Sequence, residues 1–314
     1  MTERIAIIGA GMAGCTAARM LQDKDRDVFI LEKSKGTGGR LATRRNDLGD
    51  FDHGVQYVNA KSKEFRGLMT GLSNQGSCAF WKPDGKDRDS EWHVGLPGMS
   101  GLVKPMIEDI TVHKGTTVSK IELTDGGVRL HFDEGRDFAA DRVLITAPVP
   151  QANKLAGDLD DAFAPLADVS YLPCWTLMLA FDEATDLPEM WRGDMDDVVS
   201  WYAAQHSRRD DDDGAHRYVF HAGSKWSAEH IEDEKADVSE AMIADLREAH
   251  GLSVEPMHSA IHRWRYAYVD KPYGEPFVSG ADDRIVIAGD GMLGPRVEAA
   301  FESGTAAAKH LLSL

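Results

Sequence analysis

The sequence of 314 residues has few cysteines, a deficit of positive charge and no long apolar run. Its three cysteines, Cys15, Cys78 and Cys174, are far apart and odd in number. This pattern fits neither a disulfide framework nor a zinc ribbon, and it favours a reducing compartment. We therefore predict a cytoplasmic protein.

The deficit of positive charge is large. There are 35 lysines and arginines against 52 aspartates and glutamates, and the formal net charge is −17. Since nucleic acids are held mainly by lysine and arginine, nucleic acid is not an expected partner. The acidic run at 210–213 is most simply a solvated loop, and no metal site is predicted.

Long apolar segments are also missing. No uncharged run approaches the ~18 residues of a membrane span, and the amino terminus has no signal-peptide pattern. A membrane is therefore not an expected partner. The length fits one large domain or two interleaved domains.

The strongest motif opens the chain. An apolar run at 4–8 leads into a glycine-spaced turn at 9–14, a helical stretch through Leu21 and a second apolar run that ends in Glu32. This order is typical of a βαβ dinucleotide site, and it disfavours a glycine turn without a ligand.

Each glycine of the turn has its own predicted role. Gly9 permits the tight turn, Gly11 lets the backbone approach a pyrophosphate, and Gly14 lets helix and strand pack closely. Glu32 can accept hydrogen bonds from an adenosine ribose.

Two glycine-containing segments follow. In residues 33–41, backbone N–H groups and Arg40 can face the same phosphates. In residues 51–57, Gly54 allows close backbone approach, while Gln56 offers a donor and Tyr57 an aromatic wall. His53 is more often a packing residue than a catalyst.

Patterning then predicts the remaining elements. We expect helices at 61–75 and near 102–109, strands within 110–121, 127–132 and 138–147 that form a small β-meander, and a domain exit at Pro148 and Pro150. Strand-like runs at 175–181, 198–203, 218–221 and 260–268, with an amphipathic helix at 232–250, predict an antiparallel sheet with helices on one face.

A second ligand turn lies near the carboxyl terminus. The apolar run at 285–288 is followed by Gly289 and Asp290, and a helix is predicted from Val297. Gly289 permits backbone contact, Asp290 can accept from sugar or ribityl hydroxyls, and the helix start is positive. A simple NAD-dependent enzyme needs no such second turn, whereas an extended flavin does.

With both ends considered, the chain resembles the flavin-containing amine oxidase superfamily, and within it the renalase branch, particularly the bacterial members. The motifs that carry the resemblance are 9–14, 38–40, 52–57, 98–100, His221 through 226–227, 262–267, 289–290 and 296–298. The resemblance implies an α/β fold: a doubly wound, Rossmann-like FAD-binding domain of the GR2 type (1–60, 95–150 and 281–314) with an inserted α+β substrate domain (61–94 and 151–280).

The resemblance also implies noncovalently bound FAD. The implied cofactor contacts are Gly9, Gly11, Met12, Ala13, Gly14, Glu32, Lys33, Gly39, Arg40, Leu41, Gly54, Val55, Gln56, Val118, Ala147, Trp264, Gly289, Asp290, Arg296, Val297 and Glu298. Covalent attachment through cysteine is not expected, because the cysteine nearest the carboxyl terminus is Cys174.

The implied reaction oxidises 2- or 6-dihydro isomers of NAD(P)H to NAD(P)⁺ and reduces O2 to H2O2. Such a donor becomes an aromatic cation on losing hydride, so no general base is needed. The implied active-site residues are Tyr57, Gln56, Trp264, Trp226 and His221. His221 and His262 can orient substrate, assist oxygen reduction or serve as structural residues.

Two other functions stay open. One is an amine or amino-acid oxidase, although strand alternation would place Arg263 and Arg265 on the face opposite Trp264. The other is a flavin-bound protein that signals without turnover. The chain also departs from the bacterial pattern at 205–209, which bears on the preferred substrate. The oligomeric state, the isomer and the NAD or NADP preference stay undetermined.

Overall fold

A computed structural model describes residues 3–83, 92–133, 135–208 and 216–314. The strands are β1 Arg4–Ile8, β2 Asp27–Glu32, β3 Thr43–Asn46, β4 Gly49–Asp52, β5 Cys78–Trp81, β6 Trp92–Gly95, β7 Thr111–Lys114, β8 Val118–Thr124, β9 Gly127–Phe132, β10 Asp137–Ala140, β11 Arg142–Ile145, β12 Ser170–Phe181, β13 Met190–Arg192, β14 Trp201–Ala204, β15 His216–His221, β16 His258–Lys271, β17 Phe277–Gly280 and β18 Ile285–Ala288. The α-helices are α1 Met12–Gln22, α2 Lys63–Asn74, α3 Val149–Ala156, α4 Ser224–Glu229, α5 Lys235–His250, α6 Asp290–Leu293 and α7 Val297–Ser313.

The chain forms two compact units. The first contains Met1–Gly39, Val103–Ser170 and Val269–Leu314, and the second contains Arg40–Leu102 and Tyr171–Tyr268. These boundaries differ from the predicted domain boundaries. Compared with the predicted FAD-binding domain, the first unit lacks residues 40–60 and 95–102 and includes residues 151–170 and 269–280. Residues 151–170 belong to it because α3 and the turn that follows it pack beside its strands.

The first unit is built on a six-stranded sheet in the order β17-β18-β11-β1-β2-β7. All neighbouring pairs are parallel except β17 with β18. Strands β11 and β18 are buried and apolar, as expected for strands covered on both faces. Parallel strands end at one sheet edge, so the turns after β1 and β18 lie there together, separated only by the end of β11. This arrangement confirms the predicted Rossmann-like α/β fold.

Helices α1 and α7 pack closely against each other in this unit. A Cβ on Gly304 would overlap the carbonyl oxygen of Ala13, so the contact requires glycine at this position. The predicted β-meander is present as the three-stranded sheet β10-β9-β8. The two ends of the chain are thus held together by helix packing as well as by the sheet.

The second unit is built on an antiparallel sheet in the order β13-β14-β15-β12-β16. Strand β12 is buried from Pro173 onward, and alternate side chains from Trp175 to Phe181 join one apolar core. Helix α5 buries Val238, Met242 and Leu246 in the same core. An antiparallel sheet with a helix packed against it agrees with the α+β architecture predicted for the second domain.

Some local predictions were wrong. In place of a helix near 102–109 there are two short 3-10 turns, Met99–Leu102 and Lys104–Ile107, since Gly101 and Met106 donate to carbonyls three residues earlier. The run at 138–147 contributes to two strands, β10 and β11, and Ala241, which was predicted on the buried stripe of the helix at 232–250, is exposed in α5. The acidic run at 210–213 lies outside the described residues. Among the described helices, none combines the length and apolar character needed to cross a bilayer.

Candidate active site

The turn after β1 has the geometry of a dinucleotide turn. Gly9 has a φ of +108°, which L side chains rarely adopt. A Cβ on Gly14 would overlap the carbonyl oxygen of Gly9, so helix α1 packs directly on the turn. At Gly11, by contrast, the nearest atom to an added Cβ is the carbonyl oxygen of Gly38 at 3.9 Å. The backbone at Gly11 therefore faces open space that a ligand can fill.

The start of helix α1 suits an anion. No side chain caps the helix at Gly11, and its first turn contains no acidic residue. Gly38 donates its N–H to the carbonyl oxygen of Ala10 at 2.8 Å, which holds the next glycine loop beside the turn. Uncapped N–H groups at a positive helix end are what a pyrophosphate requires. Met12 and Ala13 begin this helix, and Gly39 lies beside Gly11; all three stay predicted cofactor contacts.

Glu32 is buried at the end of β2, and its carboxylate binds the turn that follows β1 and the loop that follows β2. One carboxylate oxygen accepts from the N–H of Ala10 at 2.9 Å, and the other accepts from the N–H of Ser34 at 2.8 Å. Each carboxylate oxygen can accept a further hydrogen bond, so a ribose can still bind. Glu32 therefore has a structural role that the sequence analysis did not identify.

Three more of the predicted cofactor contacts, Lys33, Val118 and Ala147, lie in the first unit. Lys33 is exposed and donates to the side chain of Gln151 in α3 at 3.0 Å. Val118 is buried at the start of β8, and helix α3 packs against this strand. Ala147 follows β11 and precedes α3. Helix α3 thus lies next to both Lys33 and strand β8, and Ala147 directly precedes it.

The turn after β18 lies one strand away from the turn after β1. Gly289 has a φ of +139°, and its N–H donates to the hydroxyl of Ser303 at 2.7 Å. Thr146, at the end of β11, donates to the carbonyl oxygen of Gly9 at 3.1 Å. An added Cβ on Gly289 would lie 3.8 Å from the carbonyl oxygen of Thr146. Thr146 therefore lies between the two glycine turns and is bonded to the first.

Helix α7 starts just beyond this second turn. Arg296 is exposed at its N-cap, and no side chain caps the helix start. Glu298 is buried in the first turn, and Asp290 is buried at the start of α6. The structure thus brings the predicted residues Gly289, Asp290, Arg296, Val297 and Glu298 into one segment of the first unit.

The other predicted cofactor contacts belong to the second unit. A Cβ on Gly54 would overlap the carbonyl oxygen of Arg40, and the same oxygen accepts from the N–H of Val55 at 2.8 Å. Arg40 donates to the carbonyl oxygen of Ala267 at 3.2 Å. The backbone of Arg40 therefore holds two stretches of predicted cofactor contacts side by side, residues 40–41 and residues 54–55.

Trp264 lies beside the second of these stretches. Its indole N–H donates to the carbonyl oxygen of His53 at 2.9 Å, and its ring stacks on the His53 ring with centroids 5.2 Å apart. His262 contacts both rings edge-on. Burial lowers the pKa of His53 to about 4 and that of His262 to about 3, and in His53 the charge of Arg44 adds to the effect. Both imidazoles are therefore neutral and weak bases.

Gln56 is buried in a polar network that its neighbours complete. Its side-chain oxygen accepts from Arg208 at 3.1 Å and from Gln205 at 3.3 Å, and its side-chain nitrogen lies 3.4 Å from Nε2 of His221. Arg208 also pairs with Asp52 at 3.2 Å, with both side chains fully buried. Burial, followed by the charge of Arg208, lowers the pKa of His221 to about 4.

Tyr57 forms a separate aromatic contact. Its ring stacks on Trp92 at a centroid distance of 3.7 Å, and its hydroxyl accepts from Arg192 at 2.8 Å. Trp226 is only partly buried and packs against the core of the second unit, with its ring 4.3 Å from that of His230. No contact between Trp226 and the other predicted active-site residues was found in the described part of the chain.

The second unit therefore unites three of the predicted active-site residues. Trp264, His221 and Gln56 are linked through the segment at 52–56, and Tyr57 is the next residue. Sequence reasoning missed Arg208 and Gln205 as partners of this segment. It had marked residues 205–209 only as a departure, and a single arginine in a polar loop gives no signal of burial.

Comparison with known proteins agrees with this geometry. The model of an NAD(P)-binding Rossmann-like domain matches residues 7–72. Renalase from Mus musculus is 23% identical over 85% of this chain and 85% of its own length. L-amino acid oxidase from Cerastes cerastes is 47% identical, but over only 14% of this chain and 9% of its own length.

A solved structure supports the fold alone. A protein from Exiguobacterium sp. 255-15 that is assigned as a protoporphyrinogen oxidase superposes over 100% of both chains with a TM-score of 0.80 and 15% sequence identity. The family model of flavin-containing amine oxidoreductase matches residues 60–312. Because that match spans more than half of the sequence, the chain belongs to the family of flavin-containing amine oxidoreductases, and this membership implies a flavin cofactor.

Proposed function

We propose that the protein is an oxidase that binds FAD noncovalently and oxidises 2- or 6-dihydro isomers of NAD(P)H to NAD(P)⁺, with O2 reduced to H2O2. The observation that carries the proposal is the lack of a competent base among the histidines at 53, 221 and 262. Each has a pKa of about 4 or below. Such groups are poor general bases at neutral pH, and the oxidation of a dihydronicotinamide needs none.

The first unit has residues that fit a dinucleotide. The open backbone at Gly11 and the uncapped start of α1 would hold the pyrophosphate, and Glu32 would accept from the adenosine ribose. Gly289 and Asp290 with the start of α7 would hold the flavin end. When bound, the flavin supplies the two-electron acceptor and returns the electrons to O2.

Noncovalent binding is supported by the cysteines. All three are unpaired and buried. Burial raises the pKa of Cys78 to about 11 and that of Cys174 to about 12, so neither thiol is a nucleophile at neutral pH.

The second unit would recognise the substrate. Trp264 is held by the His53 carbonyl and by ring stacking, so it is a rigid wall against which a nicotinamide ring can stack. Tyr57 is held by Trp92 and Arg192 and offers a second flat surface. Trp226 and His221 stay predicted substrate contacts, and the similarity to mouse renalase, which covers 85% of both chains, supports this substrate class.

An amine or amino-acid oxidase is the second candidate, favoured by the short match to L-amino acid oxidase. Carboxylate recognition would need a free arginine near the ring of Trp264. Arg265 instead pairs with Glu232 at 2.6 Å and 2.7 Å, and Arg263 donates to the carbonyl oxygen of Ile231 at 2.7 Å. These bonds weigh against a carboxylate clamp. A flavin-bound signalling protein without turnover is the third candidate.

Anaerobic mixing of the purified flavoprotein with single substrates separates the three candidates. We expect 2- or 6-dihydro-NAD(P) to bleach the flavin absorbance within seconds, with ordinary 4-dihydro-NAD(P)H as the matched control that bleaches it far more slowly. Admission of air should then yield H2O2 in equal amount to substrate. Bleaching only by an amine or amino acid would support the second candidate, and no bleaching by any donor the third. A colourless protein that does not take up FAD would contradict all three.

A further inference from the structure

The network around Gln56 contains an arginine that no catalytic proposal uses. Arg208 follows β14 in a 3-10 turn, and its guanidinium is fully buried against the carboxylate of Asp52. It donates to the side-chain oxygens of Gln56 and Gln205, at 3.1 Å and 3.0 Å, and also to the backbone carbonyl of Gln56. One guanidinium thus holds Gln56 by its side chain and by its backbone.

The amide of Gln56 has one orientation in this network. Arg208 can only donate, so it must face the side-chain oxygen of Gln56. The side-chain nitrogen of Gln56 faces the carbonyl oxygens of Asp52 and Gly54, the latter at 3.0 Å, and both can only accept. Gln205 accepts from the N–H of Asp52 at 3.1 Å with its own oxygen, so its nitrogen is the donor to Gln56. An amide flip would break every one of these bonds.

The orientation of Gln56 determines the protonation of its neighbour. The nitrogen of Gln56 is a donor, and it lies 3.4 Å from Nε2 of His221. An amide nitrogen cannot accept a hydrogen bond, so an Nε2–H of His221 would have no acceptor in Gln56, and the contact favours the tautomer with the proton on Nδ1. The His53 backbone forms a hydrogen bond with His221, and the carbonyl oxygen of His53 also accepts from Trp264. The network therefore runs from Asp52 through to the wall residue Trp264.

We propose that Arg208 is a positioning residue: it fixes the amide of Gln56, and through it the Nδ1–H tautomer of His221 and the backbone of residues 52–56. The proposal rests on the proposed function for its role in catalysis, because this segment is where cofactor contacts are predicted. In this arrangement Arg208 is not a phosphate ligand, although it belongs to the loop that departs from the bacterial renalase pattern. Its charge is already neutralised by Asp52.

The direct test is the tautomer of His221 in the wild-type flavoprotein. Protein labelled with ¹⁵N-histidine is examined by long-range ¹H–¹⁵N correlation, and the His221 signals are assigned by their loss in His221→Gln. We expect protonated Nδ1 and bare Nε2 throughout pH 6 to 8. Protonation at Nε2 would overturn the proposal, and this measurement needs no Arg208 variant to fold.

Two variants then test the origin of the tautomer. Arg208→Lys keeps the charge beside Asp52 but loses the planar guanidinium, whose several N–H groups hold Gln56. We therefore expect His221 to populate both tautomers. Gln56→Glu keeps an acceptor for Arg208 but offers none of the amide hydrogens, so the proton of His221 should move to Nε2. The matched control is Arg217→Lys, since Arg217 is also buried but donates to the carbonyl oxygen of Leu48 at 2.8 Å. A folded Arg208→Lys variant with unchanged tautomer would overturn the proposal, whatever its rate.

Flavin reduction gives the second readout. In Arg208→Lys, we expect the limiting rate of reduction to fall about 10- to 100-fold, as for a small misplacement of reacting groups, with apparent substrate affinity within about threefold. Arg208→Gln should lower this limiting rate further, and Arg217→Lys should have the wild-type rate. If no dihydronicotinamide reduces the wild-type protein, the proposed function fails while the tautomer test still decides the role of Arg208.

Discussion

Gly14 packs so closely against the carbonyl oxygen of Gly9 that no side chain fits between them. Gly11, three residues earlier, faces open space instead. The same substitution at these two glycines therefore has opposite consequences. We expect Gly14→Ala to lower the free energy of unfolding by about 3 kcal/mol or more, because either the helix or the turn must shift.

Gly11→Ala should lower the free energy of unfolding by less than about 1 kcal/mol, since its backbone is extended and nothing obstructs a Cβ. Its FAD affinity should fall about 10- to 100-fold, because the methyl group occupies the space of the pyrophosphate. Denaturant unfolding and FAD titration measure both quantities. Gly67→Ala, in exposed helix α2, is the control and should raise stability by about 0.5–1 kcal/mol. Equal FAD affinity in Gly11→Ala and the wild type would contradict the proposal that the pyrophosphate lies against Gly11 at the start of α1.

Glu32 holds the N–H groups of Ala10 and Ser34 with its two carboxylate oxygens. In Glu32→Gln one of these N–H groups would face an amide nitrogen, so we expect a loss of about 1–3 kcal/mol in the free energy of unfolding. FAD affinity should fall as well. Melting curves with and without FAD measure both effects, and Glu122→Gln, on the exposed face of β8, should leave both unchanged. A Glu32→Gln variant with wild-type melting would show that the two bonds are dispensable.

The buried histidines predict how stability depends on pH. His53 and His221 each have a pKa lowered to about 4 by burial, against about 6.5 in the unfolded chain. The unfolded state therefore binds more protons between these values, so stability is complete above about pH 6.5 and falls as the pH drops toward 4. Each histidine contributes a slope of up to about 1.4 kcal/mol per pH unit.

Urea unfolding between pH 4 and pH 7.5 measures this slope. His53→Gln should remove the contribution of one proton to this slope, up to about 1.4 kcal/mol per pH unit in that range. A variant with the wild-type slope would mean that His53 titrates alike in the folded and unfolded states.

Arg265 offers a test of the amino-acid oxidase alternative. It pairs with Glu232, and both side chains are exposed. We expect Arg265→Gln to leave the rate of flavin reduction by dihydronicotinamides within about twofold of wild type, as for other exposed ion pairs. Trp264→Leu should raise the KM and lower the limiting rate, because the stacking wall is lost. Stopped-flow absorbance compares the two variants, and a large KM increase in Arg265→Gln with an amino acid would favour carboxylate recognition.

The thiols should be unreactive in the native protein. Burial raises the pKa of Cys78 to about 11 and that of Cys174 to about 12, and it also raises the pKa of Cys15, with Glu32 adding to the effect. We expect none of them to react with a chromogenic disulfide reagent within minutes at pH 7.5, and all three to react in denaturant. Rapid reaction of one thiol without denaturant would reveal local opening around that residue.

Local patterns were enough to predict several elements. The apolar run and the glycine spacing at the amino terminus predicted β1, the turn and α1, and apolar spacing predicted α2 and most of α5. The helix predicted near 102–109 is wrong, because apolar residues spaced three apart suit a 3-10 turn, such as Lys104–Ile107, as well as an α-helix.

In the candidate site, too, some residues could be predicted from the sequence and others only from the structure. Local motifs predicted Gly9, Glu32 and Gln56 as candidate site residues, and the family resemblance added Trp264. Nothing in the sequence identified Arg208 as the partner of Asp52 and Gln56, or Ser34 as a partner of Glu32. Side chains that lie far apart in sequence are paired only when the strands between them have found their neighbours.

What the sequence determined by itself is the βαβ start, the second glycine turn and the alternation that separates Trp264 from its flanking arginines. These features depend on the conformational range of glycine and on periodicities of two and 3.6 residues. The tertiary structure alone decided that β11 separates β1 from β18, and that a buried ion pair holds Gln56. Both are long-range pairings, and their energy comes from burial and hydrogen bonding that exist only after the sheets have formed.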